Sequence, residues 1–152
     1  MSVLVDTNLL TRSIQSSSPH FRSATGAIRE LNRRNQRLCV VPQVLYEFWT
    51  VCTRPPGENG FGMSVSAAQA EQAKVLSLFT LLPETPDIFP EWQRLVVRHD
   101  VKGKNSYDAR LVAAMLVHGV GQILTFNQSD FRRYPGIDVV DPASLVASAA
   151  GP

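Results

Sequence analysis

Apolar residues fall along this chain in two rhythms. Short, largely apolar runs at 3–5, 38–41, 81–82, 122–125 and 139–140 have the length and composition of strands. Longer stretches repeat at helical spacing. Ala24, Ala27, Ile28 and Leu31 stand at i, i+3, i+4 and i+7, which predicts an amphipathic helix over 19–35 with Ser18 as its N-cap and Pro19 in its first turn. A short helix is expected from Asn8, and another from Pro42 to about residue 53. Ser66 and Gln69 form a capping-box pattern for a helix reaching about residue 79, and Asp87 is placed to cap one reaching about residue 99. The pattern continues as a helix over 106–118 ended by Gly119, a short helix over 129–134, and a terminal helix begun by Asp141 and Pro142. The Pro/Gly-rich segment 55–62 is a loop, expected to have no role of its own. Strands alternating with helices predict an α/β fold with a mostly parallel sheet.

Composition narrows the class without naming a function. A chain of 152 residues suits one domain, expected over 1–146 with a flexible tail at 147–152. That length can bury roughly 70% of the unfolded surface, so no disulfide or structural metal is required. Cys39 and Cys52 lie in apolar surroundings and read as small buried hydrophobes; no CxxC spacing and no paired histidines suggest zinc. No apolar run approaches the roughly 20 residues of a membrane span, and no basic segment precedes the first apolar stretch. A reducing cytoplasm is the expected location. The net charge of +2 is compatible with a polyanionic partner. Arg29, Arg33, Arg34 and Arg37 read as a solvated helix end. Lys102, Lys104, Arg132 and Arg133 are more suggestive, because they flank acidic positions.

Those positions carry the chemistry. Asp6 ends the first strand, where an open parallel sheet binds ligands, although a helix N-cap would also use it. Glu47 is a lone charge in an otherwise apolar helix, and an unpaired buried carboxylate costs several kcal/mol or becomes neutral. A metal or an arginine would offset that cost, and Arg54 is the first arginine to follow. Asp108 lies in a first helical turn on the face that continues through Leu111, Val112 and Met115. Asp130 follows a strand, and Asn127 competes with it for the same place. If these acids converge they need a counter-charge. Oxygen ligands without His or Cys favour Mg²⁺ or Mn²⁺.

The motifs Val-Leu-Val-Asp-Thr-Asn at 3–8, Tyr-Asp-Ala-Arg-Leu-Val-Ala-Ala at 107–114 and Leu-Thr-Phe-Asn-Gln-Ser-Asp-Phe at 124–131, with Glu47 after the second strand, resemble the PIN-domain family, most of all its VapC-type toxins. The resemblance covers the whole chain. It implies a Rossmann-like three-layer α/β/α sandwich that cleaves RNA with Mg²⁺ or Mn²⁺. It implies that Asp6 and Asp108 ligate the metal, that Glu47 completes the acidic pocket, and that Asp130 or Asn127 fills the fourth acidic position. Thr7, Asn8 and Thr125 match supporting polar positions, and many relatives carry Asp where this chain has Asn127. The resemblance further implies a homodimer and a VapB-like antitoxin. Lys102, Lys104, Arg132 and Arg133 are then candidates for RNA backbone contacts.

Two other readings fit the same residues. A phosphatase of the haloacid dehalogenase type would use Asp6 as nucleophile, but needs an acid where Asn8 stands. A catalytically degenerate domain would bind RNA or a protein without cutting.

Overall fold

The computed structural model describes residues 1–151. Five short strands, β1 (Ser2–Val5), β2 (Arg37–Val40), β3 (Thr80–Leu81), β4 (Gln122–Leu124) and β5 (Asp138–Val140), form one sheet. Every pairing is parallel and the order is β3-β2-β1-β4-β5. Leu4 is matched with Cys39 on one side and Ile123 on the other, and all three are fully buried. A strand covered on both faces has no polar side to alternate with, which is why these segments read as continuous apolar runs.

Among the described residues seven helices cover the sheet: α1 (Thr7–Ile14), α2 (Phe21–Arg33), α3 (Pro42–Thr53), α4 (Val65–Leu78), α5 (Ile88–Arg98), α6 (Asn105–His118) and α7 (Pro142–Ala150). The chain steps outward from β1 through β2 to β3, then crosses back to β4. Right-handed crossovers therefore place α1–α4 on one face and α5–α6 on the other. The packing agrees: α1 contacts α2 and α3, α2 holds α7, and α5 pairs with α6. The result is the three-layer α/β/α sandwich. The step direction reverses between β1 and β4, which opens a crevice at their carboxyl ends. No helix among the described residues is long and apolar enough to cross a membrane.

Several boundaries differ from expectation for local reasons. Helix α2 begins at Phe21, because the Ser18 hydroxyl accepts the His20 N–H at 3.1 Å and holds 17–20 in a turn. Ser64, not Ser66, caps α4, accepting the Ala67 N–H at 3.1 Å. Asp87 has helical φ and ψ, so its side chain does not cap α5. The expected helix at 129–134 is only a 3-10 turn, Gln128–Asp130. Pro135 disfavours helical geometry in the residue before it, while Phe131 and Tyr134 plug into the core. Residues 147–150 of the expected tail form the end of α7, and residue 152 lies outside the described residues. The arginine-rich end of α2 is the solvated helix end expected, with Arg33 and Arg34 both clamping Glu30.

Candidate active site

Asp6 stands at the crevice, closing β1 and capping α1. Its extended backbone folds the carboxylate over the helix start, where Oδ1 accepts the Thr7 N–H at 2.7 Å. The other oxygen, Oδ2, accepts the Thr125 hydroxyl at 2.7 Å and the Asn8 amide at 3.3 Å. Thr125 is fully buried just past β4. Its Oγ1 accepts the Asn8 amide at 3.2 Å and the Asn127 N–H at 3.0 Å, and the Asn8 carbonyl takes the Phe126 N–H at 3.2 Å. Asn8 thus stitches the ends of β1 and β4 together and places no acid beside Asp6, contrary to what a phosphatase of the haloacid dehalogenase type needs.

Glu47 lies on α3 across from Thr7, whose hydroxyl donates to Oε2 at 2.8 Å. Its Oε1 accepts the Gln43 amide at 3.0 Å, one helical turn back. Glu47 is half-buried at the mouth of the crevice rather than sunk in an apolar face. The same Gln43 amide group donates to the Tyr107 carbonyl at 3.0 Å, and the Gln43 carbonyl accepts from Arg110 at 3.0 Å. Arg110 then pairs with Glu84 at 2.9 Å. The buried Gln43 and the Arg110 behind it escaped sequence reasoning. The i, i+4 spacing of Gln43 and Glu47 was the one available signal; nothing local connects Arg110 to either.

Asp108 sits half-buried in the first turn of α6, and Asp130 sits half-buried on the 3-10 turn after β4. None of the four carboxylates forms an ion pair among the described residues. Burial pushes the Asp6 carboxyl up to about 6, with Glu47 and Asp130 adding repulsion while Thr125 and Thr7 oppose the rise through hydrogen bonds. Burial likewise pushes Asp108 up to about 6. Repulsion from Asp130, Asp6 and Glu47 adds to it in that order, and Lys104 partly offsets it. Asp130 is thus the strongest charged neighbour of Asp108, whereas Asn127 is exposed and contributes its backbone N–H. Between those two residues, the acid that faces the cluster is Asp130.

The donor set suits a hard dication: oxygen atoms only, mutually repelling, with no ion pair to any of them among the described residues. No three His, Cys, Asp or Glu side chains among the described residues are arranged around a single point. Mg²⁺ tolerates this, since it keeps several waters and takes one or two carboxylates. Asp6 and Asp108 fit that requirement.

The suspected basic residues are all exposed. Lys104 occupies the N-cap position of α6 and is exposed. Lys102 pairs with Asp100 at 3.2 Å, both in solvent. Arg132 and Arg133 are exposed beyond the 3-10 turn. None of them touches the four acids.

Solved structures share this architecture. The VapBC2 complex from Rickettsia felis, bound to a promoter DNA fragment, matches with a TM-score of 0.68 at 15% identity, covering 92% of this chain and 98% of that one. A toxin–antitoxin complex from Klebsiella pneumoniae matches with a TM-score of 0.62 at 21% identity, covering 92% and 97%. VapC20 from Mycobacterium tuberculosis, described as a sarcin-ricin loop cleaving toxin, matches with a TM-score of 0.61 at 22% identity, covering 84% and 92%. No curated protein matches significantly by sequence. Residues 3–137 match the family described as the PIN domain, a span that takes in all four carboxylates from Asp6 to Asp130, and on that match the chain belongs to the PIN domain family.

Proposed function

We propose that this chain is a Mg²⁺- or Mn²⁺-dependent endoribonuclease and the toxin of a type II toxin–antitoxin pair, acting in the cytoplasm. The observation that carries the proposal is that Asp6, Glu47, Asp108 and Asp130, from four separate elements, lie near enough for their charges to repel, with no cation paired to any of them among the described residues. The toxin–antitoxin assemblies among its structural neighbours support the biological setting.

In this reading Asp6 and Asp108 hold the ion. A bound dication supplies charge stabilisation at a phosphoryl oxygen and lowers the pKa of water towards neutrality. The chain's own residues set the geometry. Thr125 and Asn8 lock the Asp6 carboxylate against the sheet edge, so it is aimed before any ligand arrives. Thr7 and Gln43 each donate to one oxygen of the Glu47 carboxylate and hold it in place, leaving it lone pairs with which to orient an attacking water. Asp130 completes the acidic wall, and Lys104, with Lys102, Arg132 and Arg133 farther out, faces the RNA backbone. A homodimer and a VapB-like antitoxin complete the proposal.

The test is cleavage of RNA by purified protein. Activity should require Mg²⁺ or Mn²⁺, disappear with EDTA, and be lost in folded Asp6→Asn and Asp108→Asn proteins. Full cleavage by folded Asp108→Asn would overturn the assignment. RNA binding without cleavage under any metal would instead favour the degenerate, binding-only domain.

A further inference from the structure

The seam between α1 and α3 runs on past the acids. Thr7 and Glu47 meet at one end of it. One turn farther along α1 comes Thr11, about 6 Å from Thr7 at 1.5 Å per residue, and Gln15 follows just past the helix end. They face Val51 and Arg54 at the end of α3. Here the helices and the loop after α3 enclose a cavity of about 530 Å³ whose lining includes Arg12 and Arg54 and no acidic residue.

The loop is shaped to form this wall. It turns back along α3, with the N–H groups of Phe61 and Met63 bonding the Val51 and Cys52 carbonyls at 2.9 and 2.8 Å. Asn59 is left-handed at φ 63°. Gly60 passes so close to the Arg54 carbonyl that a Cβ would lie 1.9 Å from that oxygen. Arg54 donates to the Asn59 carbonyl at 3.1 Å, yet its Nε is buried with no acceptor. Arg12 donates to the neutral Gln15 side chain at 2.9 Å. Neither guanidinium has a carboxylate partner among the described residues. Two arginines lining a polar cavity without a carboxylate partner match a phosphate by charge.

We infer that the Arg12–Arg54 cavity binds a backbone phosphate of the RNA strand a few nucleotides from the bond cleaved at the acids. The inference rests on the ribonuclease reading. It assigns the loop after α3 a part in holding substrate.

The experiment measures binding of a short fluorescein-labelled single-stranded RNA to the Asp108→Asn protein across a salt series. It is compared with the same protein carrying Arg12→Gln, Arg54→Gln, both, or the corresponding lysine changes. Each neutralised phosphate contact on a single strand contributes about 0.7 to the slope of log K against log salt. The double glutamine variant should bind several-fold more weakly with a slope shallower by about 0.7, while the lysine variants keep the slope. The Mn²⁺-induced rise in melting temperature of the otherwise wild-type chain should be untouched by Arg12→Gln, because the acids are unaltered. Arg12 takes no part in bracing the loop, so its variant carries the test if Arg54→Gln misfolds. An unchanged slope and affinity would overturn the inference and leave the ribonuclease reading standing. Wild-type protein that neither binds nor cleaves RNA in Mn²⁺ would sink both.

Discussion

Asp108→Asn should make the metal-free protein more stable while removing its activity. The Asp108 carboxyl is raised from 3.8 to about 6 by burial and by Asp130, Asp6 and Glu47. At 1.36 kcal/mol per tenfold change in proton affinity this corresponds to about 3 kcal/mol of unfavourable charge in the folded state. Asp108 is only half-buried, so solvent screening reduces the expected gain to about 1–2 kcal/mol. Asparagine keeps the shape and carries no charge. The sign with pH follows from the raised value. Above about pH 6 the group is ionised in both folded and unfolded chains, and the full cost falls on the fold. As pH drops from 6 towards 3.8 the folded protein takes up the proton first, and wild type recovers the stability that the variant already has. Urea unfolding in EDTA should therefore show the variant ahead by about 1–2 kcal/mol at pH 7.5, or a melting temperature higher by about 3–6 °C. The two proteins should converge by about pH 4, as carboxylate linkage requires. A variant no more stable than wild type at pH 7.5 would refute the electrostatic argument. So would a gain that persists unchanged at pH 4, which would point to packing instead.

Three further outcomes follow from the same geometry. Mn²⁺ should raise the melting temperature of wild type in a concentration-dependent way, by the equivalent of about 2.7 kcal/mol at one hundred times Kd, and leave Asp6→Asn nearly unmoved; equal shifts in both proteins, read by differential scanning fluorimetry, would place the ion elsewhere. Thr125→Val removes the hydroxyl that donates to Asp6 and accepts from Asn8 and Asn127. It should cost about 1–3 kcal/mol in urea unfolding and reduce cleavage by loosening Asp6; a neutral result would show that the strand-end network does not hold the carboxylate. Gly60→Ala should destabilise the chain by about 1–3 kcal/mol or more through collision with the Arg54 carbonyl, and calorimetry that found no loss would show that the loop can move aside.

Much of the molecule is written locally. The runs at 3–5, 38–41 and 122–125 declare buried parallel strands because neither face meets water, and the helical spacing of Ala24, Ala27 and Leu31 declares which side of α2 is inward. Motif order also marked Asp6, Glu47, Asp108 and Asp130 as one chemical group, and their mutual repulsion in the fold is consistent with it. Helix starts were less legible, since Ser18, Ser64 and Ser66 offer nearly equal local bonds and packing chooses among them.

What the sequence could not decide is which distant side chains meet. Asn8 reaches Thr125 only because β1 and β4 are neighbours in the sheet, and Gln43 bridges Glu47 to Arg110 only because α3 and α6 begin at the same edge. Arg12 and Arg54 share a cavity because α1 and α3 lie side by side, with a glycine allowing the loop to fold back over them. Periodicity and propensity report on neighbours within a turn or a strand. Contacts between elements depend on strand order and crossover direction, which no single stretch of residues contains.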